Sequence, residues 1–109
     1  MPLGAEMVKV SVLYPKQPDT TFNMSYYINH HIEMVRQLLG ARLKGVAVEE
    51  GISGAEPGSS ASYAAMGHLL FESVGDFQSS FGPHAQAIVG DIPNYTNSHP
   101  IIQISEVKL

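Results

Sequence analysis

The stretch Ser25 to Val35 reads Ser-Tyr-Tyr-Ile-Asn-His-His-Ile-Glu-Met-Val: two adjacent tyrosines and, three residues on, two adjacent histidines. An imidazole titrates near neutrality and can act as acid or base. A phenol can donate a hydrogen bond to an oxygen on which charge develops. Helical spacing of about 100° per residue separates the pairs. Met24, Tyr27, Ile28, His31, Met34, Val35, Leu38 and Leu39 gather on one side; Tyr26 and His30 fall outward or at the boundary. Tyr27 and His31 are one turn apart, so their side chains can meet. A buried imidazole without a partner costs about 1–3 kcal/mol. Two readings follow: His31 is a core histidine satisfied by a backbone carbonyl or the Tyr27 hydroxyl, or it borders a cavity as acid or base while Tyr27 holds an oxygen.

The elements that must position these groups follow from pattern. Met7–Tyr14 alternates and is rich in β-branched residues, as a strand does. Asn23 can cap a helix running to about Leu39, where Gly40 stops it. Leu43–Ile52 reads as a second strand and Ser53–Ser62 as a loop. Tyr63–Phe71 is a third strand. Ser73 can cap a second helix, with Val74, Phe77 and Phe81 on one stripe, and Gly82-Pro83 breaks it. A short helical piece over His84–Val89 and a turn region over Gly90–Asn97 precede a last strand, His99–Val107.

The order strand, helix, strand, strand, helix, strand is the ferredoxin-like β-α-β-β-α-β plan. It is an α+β fold with two helices on one face of a four-stranded antiparallel sheet. All 109 residues fit one domain, with residues 1–6 expected to be a flexible lead-in. The last two strands are apolar on both faces, whereas a sheet with one wet face should alternate. A second copy of the chain is the expected cover, giving a homodimer with the two sheets face to face.

Other polar groups could reach a cavity. Lys9 and Ser11 share the less apolar face of the first strand. His68 shares a face with Met66 and Leu70, and Gln103 and Ser105 share one with Ile101. The faces of the third and fourth strands that look inward are left open by sequence. Tyr14 and Phe22 are expected near the mouth of the site as lid or packing residues.

Composition narrows the classes of function. Six Lys and Arg against ten Asp and Glu, with no basic run, argue against a nucleic-acid partner. No apolar stretch approaches the roughly 20 residues of a membrane span. With no cysteine, thiolate chemistry and disulfides are excluded, and a cytoplasmic location is expected. The histidines show no H-x-x-x-H or H-E-x-x-H spacing, so no metal is expected. Neither G-x-G-x-x-G nor a P-loop occurs, so no nucleotide cofactor is expected.

The pattern Phe22-x-x-x-Tyr26-Tyr27-x-x-x-His31, after a strand ending Leu13-Tyr14-Pro15, resembles the EthD family, named for ethyl tert-butyl ether degradation. The C-terminal run Asn97 to Val107 resembles that family's last strand, so the likeness spans about residues 7 to 108. It implies a dimeric α+β barrel and a link to oxidative breakdown of small apolar compounds beside a cytochrome P450 system. The family commonly carries x-Pro-Leu after the histidine. Here Ile32-Glu33-Met34 follows, so the helix is expected to run on past His31. Two functions stand side by side. One is an enzyme, a cofactor-independent oxidoreductase or a lyase or cyclase, that binds a small apolar or aromatic molecule with His31 and Tyr27 catalytic. The other is a non-catalytic accessory protein that holds such a molecule.

Overall fold

A computed structural model describes residues 7–109, so the expectation for residues 1–6 lies outside the described residues. Strands β1 (Val8–Pro15), β2 (Gly45–Glu50), β3 (Tyr63–Phe71) and β4 (Ile101–Glu106) form an antiparallel sheet in the order β2-β3-β1-β4. With β1 and β3 central and the helical segments between β1 and β2 and between β3 and β4, this is the expected plan.

Register fixes the faces. Ser11 lies opposite His68 on β3 and Gln103 on β4, and Val12 lies opposite Gly67 and Ile102. Directly opposed residues share a face, and alternate residues along a strand share it too. Val8, Val10, Tyr14, Ala65, Leu69 and Phe71 are buried on the face covered by the helices. Each fully buried Val, Leu or Phe contributes roughly 1.5–3 kcal/mol. The helices do not reach over β4: Ile102 and Ile104, on the same face, remain 56% and 44% exposed.

The first helical segment starts at Asn23, whose side-chain oxygen accepts from the Tyr26 N–H at 3.0 Å. Helix α1 (Met24–Tyr26) passes through a π turn over Tyr27–His31 into helix α2 (Ile32–Leu39). The Ile32 N–H reaches back five residues to the Tyr27 carbonyl, the hydrogen bond that defines the wider turn. The helix therefore continues past His31, as the missing proline suggests, but not as one uniform α-helix. Ile32, Val35 and Leu39 are its buried stripe. Gly40, at φ 64° and ψ −141°, ends it in a conformation that side chains strongly disfavour.

Ser73 caps helix α3 (Val74–Phe81) by accepting from the Asp76 N–H at 3.0 Å. Phe77 and Phe81 stack at 5.1 Å and pack against the core, while Val74, in the first turn, is 41% exposed. A 3-10 turn, Gly82–His84, leads into helix α4 (Ala85–Gly90). The region read as a turn contains a further 3-10 turn, Ile92–Asn94, held by the Asn94 N–H donating to the Asp91 carbonyl.

Candidate active site

His31 is buried, and its ring lies nearly parallel to that of Tyr27, with centroids 5.5 Å apart. Its hydrogen-bond partners come from a distant segment. Nδ1 lies 2.9 Å from Asp91 Oδ2, and Nε2 lies 3.4 Å from the Tyr95 hydroxyl. Asp91 is itself held by the Tyr26 hydroxyl at 2.7 Å and the Asn94 amide at 2.9 Å, both donating to Oδ1. The Tyr95 hydroxyl also meets the Tyr14 hydroxyl at 2.7 Å. Four segments thus converge: β1 through Tyr14, helix α1 through Tyr26, the π turn through His31, and the stretch Asp91 to Tyr95 around the 3-10 turn after α4.

Electrostatics set the protonation states. Burial holds the His31 pKa below its ordinary 6.5, although Asp91 pulls it the other way. Burial acts to raise Asp91, but hydrogen bonds from Asn94, His31 and Tyr26 outweigh it and hold the carboxyl below its usual 3.8. Near neutrality the pair is therefore a carboxylate and a neutral imidazole. An ionised carboxylate only accepts, so the proton sits on Nδ1 and the lone pair on Nε2. Burial pushes the Tyr14, Tyr27 and Tyr95 phenols above the ordinary phenol range, so all three stay protonated. A base whose far nitrogen is oriented by a carboxylate is the arrangement general-base catalysis uses.

A cavity of about 90 Å³ lies between the first helical segment, α3, α4 and the sheet. His31, Tyr27 and Tyr14 border it, among apolar walls that include Leu69, Phe81 and Ile88. It extends to the half-exposed Val89 and Ile102, at the edge where the helices stop short of β4. Gly67 is part of the wall for a steric reason: a Cβ there would overlap the Tyr27 hydroxyl.

The sheet divides the residues singled out by sequence. Tyr27, His31 and Tyr14 meet at the cavity, and Phe22 packs edge-on against Tyr14 and Tyr27 at 5.1 Å. Lys9, Ser11, His68, Gln103 and Ser105 all lie on the opposite face. There His68 Nδ1 meets the Ser11 hydroxyl at 2.8 Å, and Nε2 lies 3.4 Å from Glu49. The faces that sequence leaves open are thus fixed by register: the nine residues fall into two groups on opposite sides of the sheet, because residues opposed across antiparallel strands share a face. For Tyr14 the packing alternative holds. Only 1% exposed, it is a core residue and not a lid at a mouth. The partner of His31 is neither a backbone carbonyl nor Tyr27, but Asp91.

Sequence reasoning misses Asp91, Asn94 and Tyr95; Tyr26, expected outward or at the boundary, sits at the boundary and reaches Asp91. The signal lay in Gly90-Asp-Ile-Pro-Asn-Tyr95, where an acid and an amide three residues apart sit in a turn that ends in an aromatic. Turn composition explains such residues equally well.

The fold and the site together define a ferredoxin-like α+β domain with a histidine-centred cavity beneath its first helix. The EthD domain model matches residues 18–99, and the chain belongs to the EthD family. An EthD-like protein from Ralstonia eutropha JMP134 superposes with a TM-score of 0.92 at 36% identity, over 95% of this chain and 94% of that one. An ethyl tert-butyl ether degradation (EthD) family protein from Bacillus halodurans C-125 gives 0.70 at 20% identity, over 93% and 98%. Hydroxynitrile lyase from Passiflora edulis gives 0.60 at 14% identity, over 94% of each chain, a likeness of fold alone. The chain has no match among curated proteins.

Proposed function

We propose that the protein binds a compact, largely apolar molecule in the cavity beneath the first helix and transfers a proton there, with His31 as the base. The observation that carries this reading is the 2.9 Å contact of His31 Nδ1 with Asp91, which leaves Nε2 as the basic nitrogen of a buried ring that borders the cavity, 3.4 Å from the Tyr95 hydroxyl. In this reading Tyr27 supplies a hydrogen bond to the ligand's oxygen. Such chemistry suits oxygenation without a cofactor, or a lyase or cyclase reaction that begins by removing a proton. The cavity is smaller than the roughly 300–1,000 Å³ of drug-sized sites, which favours a compact ligand.

The reading includes a homodimer and a cytoplasmic setting. Leu13, Met66 and Ile101 line up across three strands of the open face, which supports a second copy as their cover. A dimeric ferredoxin-like protein from Thermobifida fusca YX shares the fold at 14% identity with a TM-score of 0.53.

A second reading, a binding protein that makes no bonds, is favoured by one observation. Among the described residues every buried polar side-chain atom already has a hydrogen-bond partner, so the network is complete without a ligand. Turnover separates the two. With a compound found by an NMR binding screen, His31→Ala should lower the rate about 10²–10⁴-fold while binding persists. An unchanged rate in folded His31→Ala would end the catalytic reading.

A further inference from the structure

The cavity has a closed end and an open one, and the sheet register gives its direction. Gly67 on β3, Val12 on β1 and Ile102 on β4 are directly opposed, and all three line it. It therefore runs across the strands along one rung, roughly 10 Å for two strand spacings. At the β3 end the Tyr27 hydroxyl sits over Gly67 and closes it. At the β4 end, Val89 of α4 and Ile102 are 53% and 56% exposed, whereas lining residues such as Tyr27, His31 and Leu69 are buried. The lining thus meets solvent between α4 and β4. Ile102 faces the helix side there, opposite the open face offered to a second copy.

The rim offers neither a charge nor a side-chain hydrogen bond: besides Val89 and Ile102 it includes the half-buried Pro100. An ionised group that crosses it loses water with nothing to replace it, while a neutral apolar surface gains by leaving water. Valine and isoleucine are also stiff about their first side-chain torsion, so the opening holds its width. Ile104 makes a contrast. Two residues further along the same face of β4 it is 44% exposed, yet it does not border the cavity.

We propose that Val89 and Ile102 form the entrance of the cavity and set the size of the ligand it admits. The ligand enters between α4 and β4 as a neutral apolar body and lies across the strands, its inner end toward Gly67. Its bulk is limited at the β4 end by these two stiff side chains. They determine specificity and take no part in proton transfer. This inference rests on the cavity being the ligand site, as the proposed function holds.

The test compares cyclopentanone with cycloheptanone by NMR titration of the intact protein. The larger ring carries two more methylenes, whose full burial would make it bind about tenfold more tightly. In the unaltered protein the rim should cancel that gain, so that cycloheptanone binds no more tightly than cyclopentanone. Ile102→Ala and Val89→Ala should each restore it, moving the affinity ratio about tenfold toward the larger ring. Ile104→Ala should leave the ratio unchanged. The two rim positions lie on different elements, so one variant suffices should the other fail to fold. A tenfold preference for cycloheptanone already present in the unaltered protein would overturn the inference and leave the proposed function standing. So would a ratio that stays fixed in the folded rim variants, or one that moves as far in Ile104→Ala. Failure of both ketones to bind at tens of millimolar, in the unaltered protein and in the rim variants, would overturn the inference together with the cavity as a ligand site.

Discussion

Asp91 satisfies three donors at once, and the imidazole it orients carries the proposed chemistry. The consequence for stability has a definite sign. The folded-state pKa of His31 is depressed, so the folded protein resists the proton that the unfolded chain accepts. The contribution of this residue is full above about pH 6.5, the ordinary imidazole value, and is lost as the pH falls below it toward the folded pKa. Asp91, also depressed, adds a second loss as the pH falls below its ordinary 3.8. Urea midpoints measured against pH should show both declines, and His31→Gln should abolish the upper one. Tyr27 and Gly67 form a second coupled pair. Gly67→Ala should cost about 1–3 kcal/mol by overpacking against the Tyr27 hydroxyl. In a Tyr27→Phe background the same change should cost less, so a double-mutant cycle in chemical denaturation reads the contact directly.

At the scale of elements, the first helix joins the site to the core. Its start depends on the Asn23 cap, so Asn23→Ala should lower stability by about 1 kcal/mol in thermal or urea unfolding. That change also loosens the turn from which Tyr26 and Tyr27 project. The helix was legible because apolar spacing, an asparagine cap and a glycine stop agree, and each leaves a mark on neighbouring residues. The strand Tyr63–Phe71 was legible to the residue because a nearly continuous apolar run is bounded by a small, polar loop on one side and the Ser73 cap on the other. The π turn was not, since Tyr27–His31 carries no residue that distinguishes it from ordinary helix. The contacts of His31 with Asp91 and Tyr95 were equally hidden. They span 60 and 64 residues, and only the packing of the 3-10 turn against the first helix creates them. Burial of His31 could be read from its place on the apolar stripe; the identity of its partner could not.

Across the whole molecule, the sheet keeps two polar groups apart. The histidine on the inner face belongs to the cavity, and His68 on the outer face pairs with Ser11 and Glu49 among exposed and half-buried apolar residues. β4 is largely uncovered by its own chain, with Ile101, Ile102 and Ile104 each at least 44% exposed. Exposed apolar area of this kind on an edge strand is a liability unless another surface meets it. Light scattering should give the mass of a dimer at micromolar concentration. Met66→Lys, directly opposite Leu13 on the open face, should shift it toward the monomer. The strand order was legible because the sequence of elements admits few arrangements, whereas the inward faces of β3 and β4 emerged only with the register.

The measurement closest to the core of this account is the state of one ring. A long-range proton–nitrogen correlation spectrum should show His31 neutral near pH 7, protonated at Nδ1, and titrating below 6.5. A proton on Nε2, or a titration at or above the ordinary imidazole value, would mean that Asp91 does not prepare this histidine to act as a base.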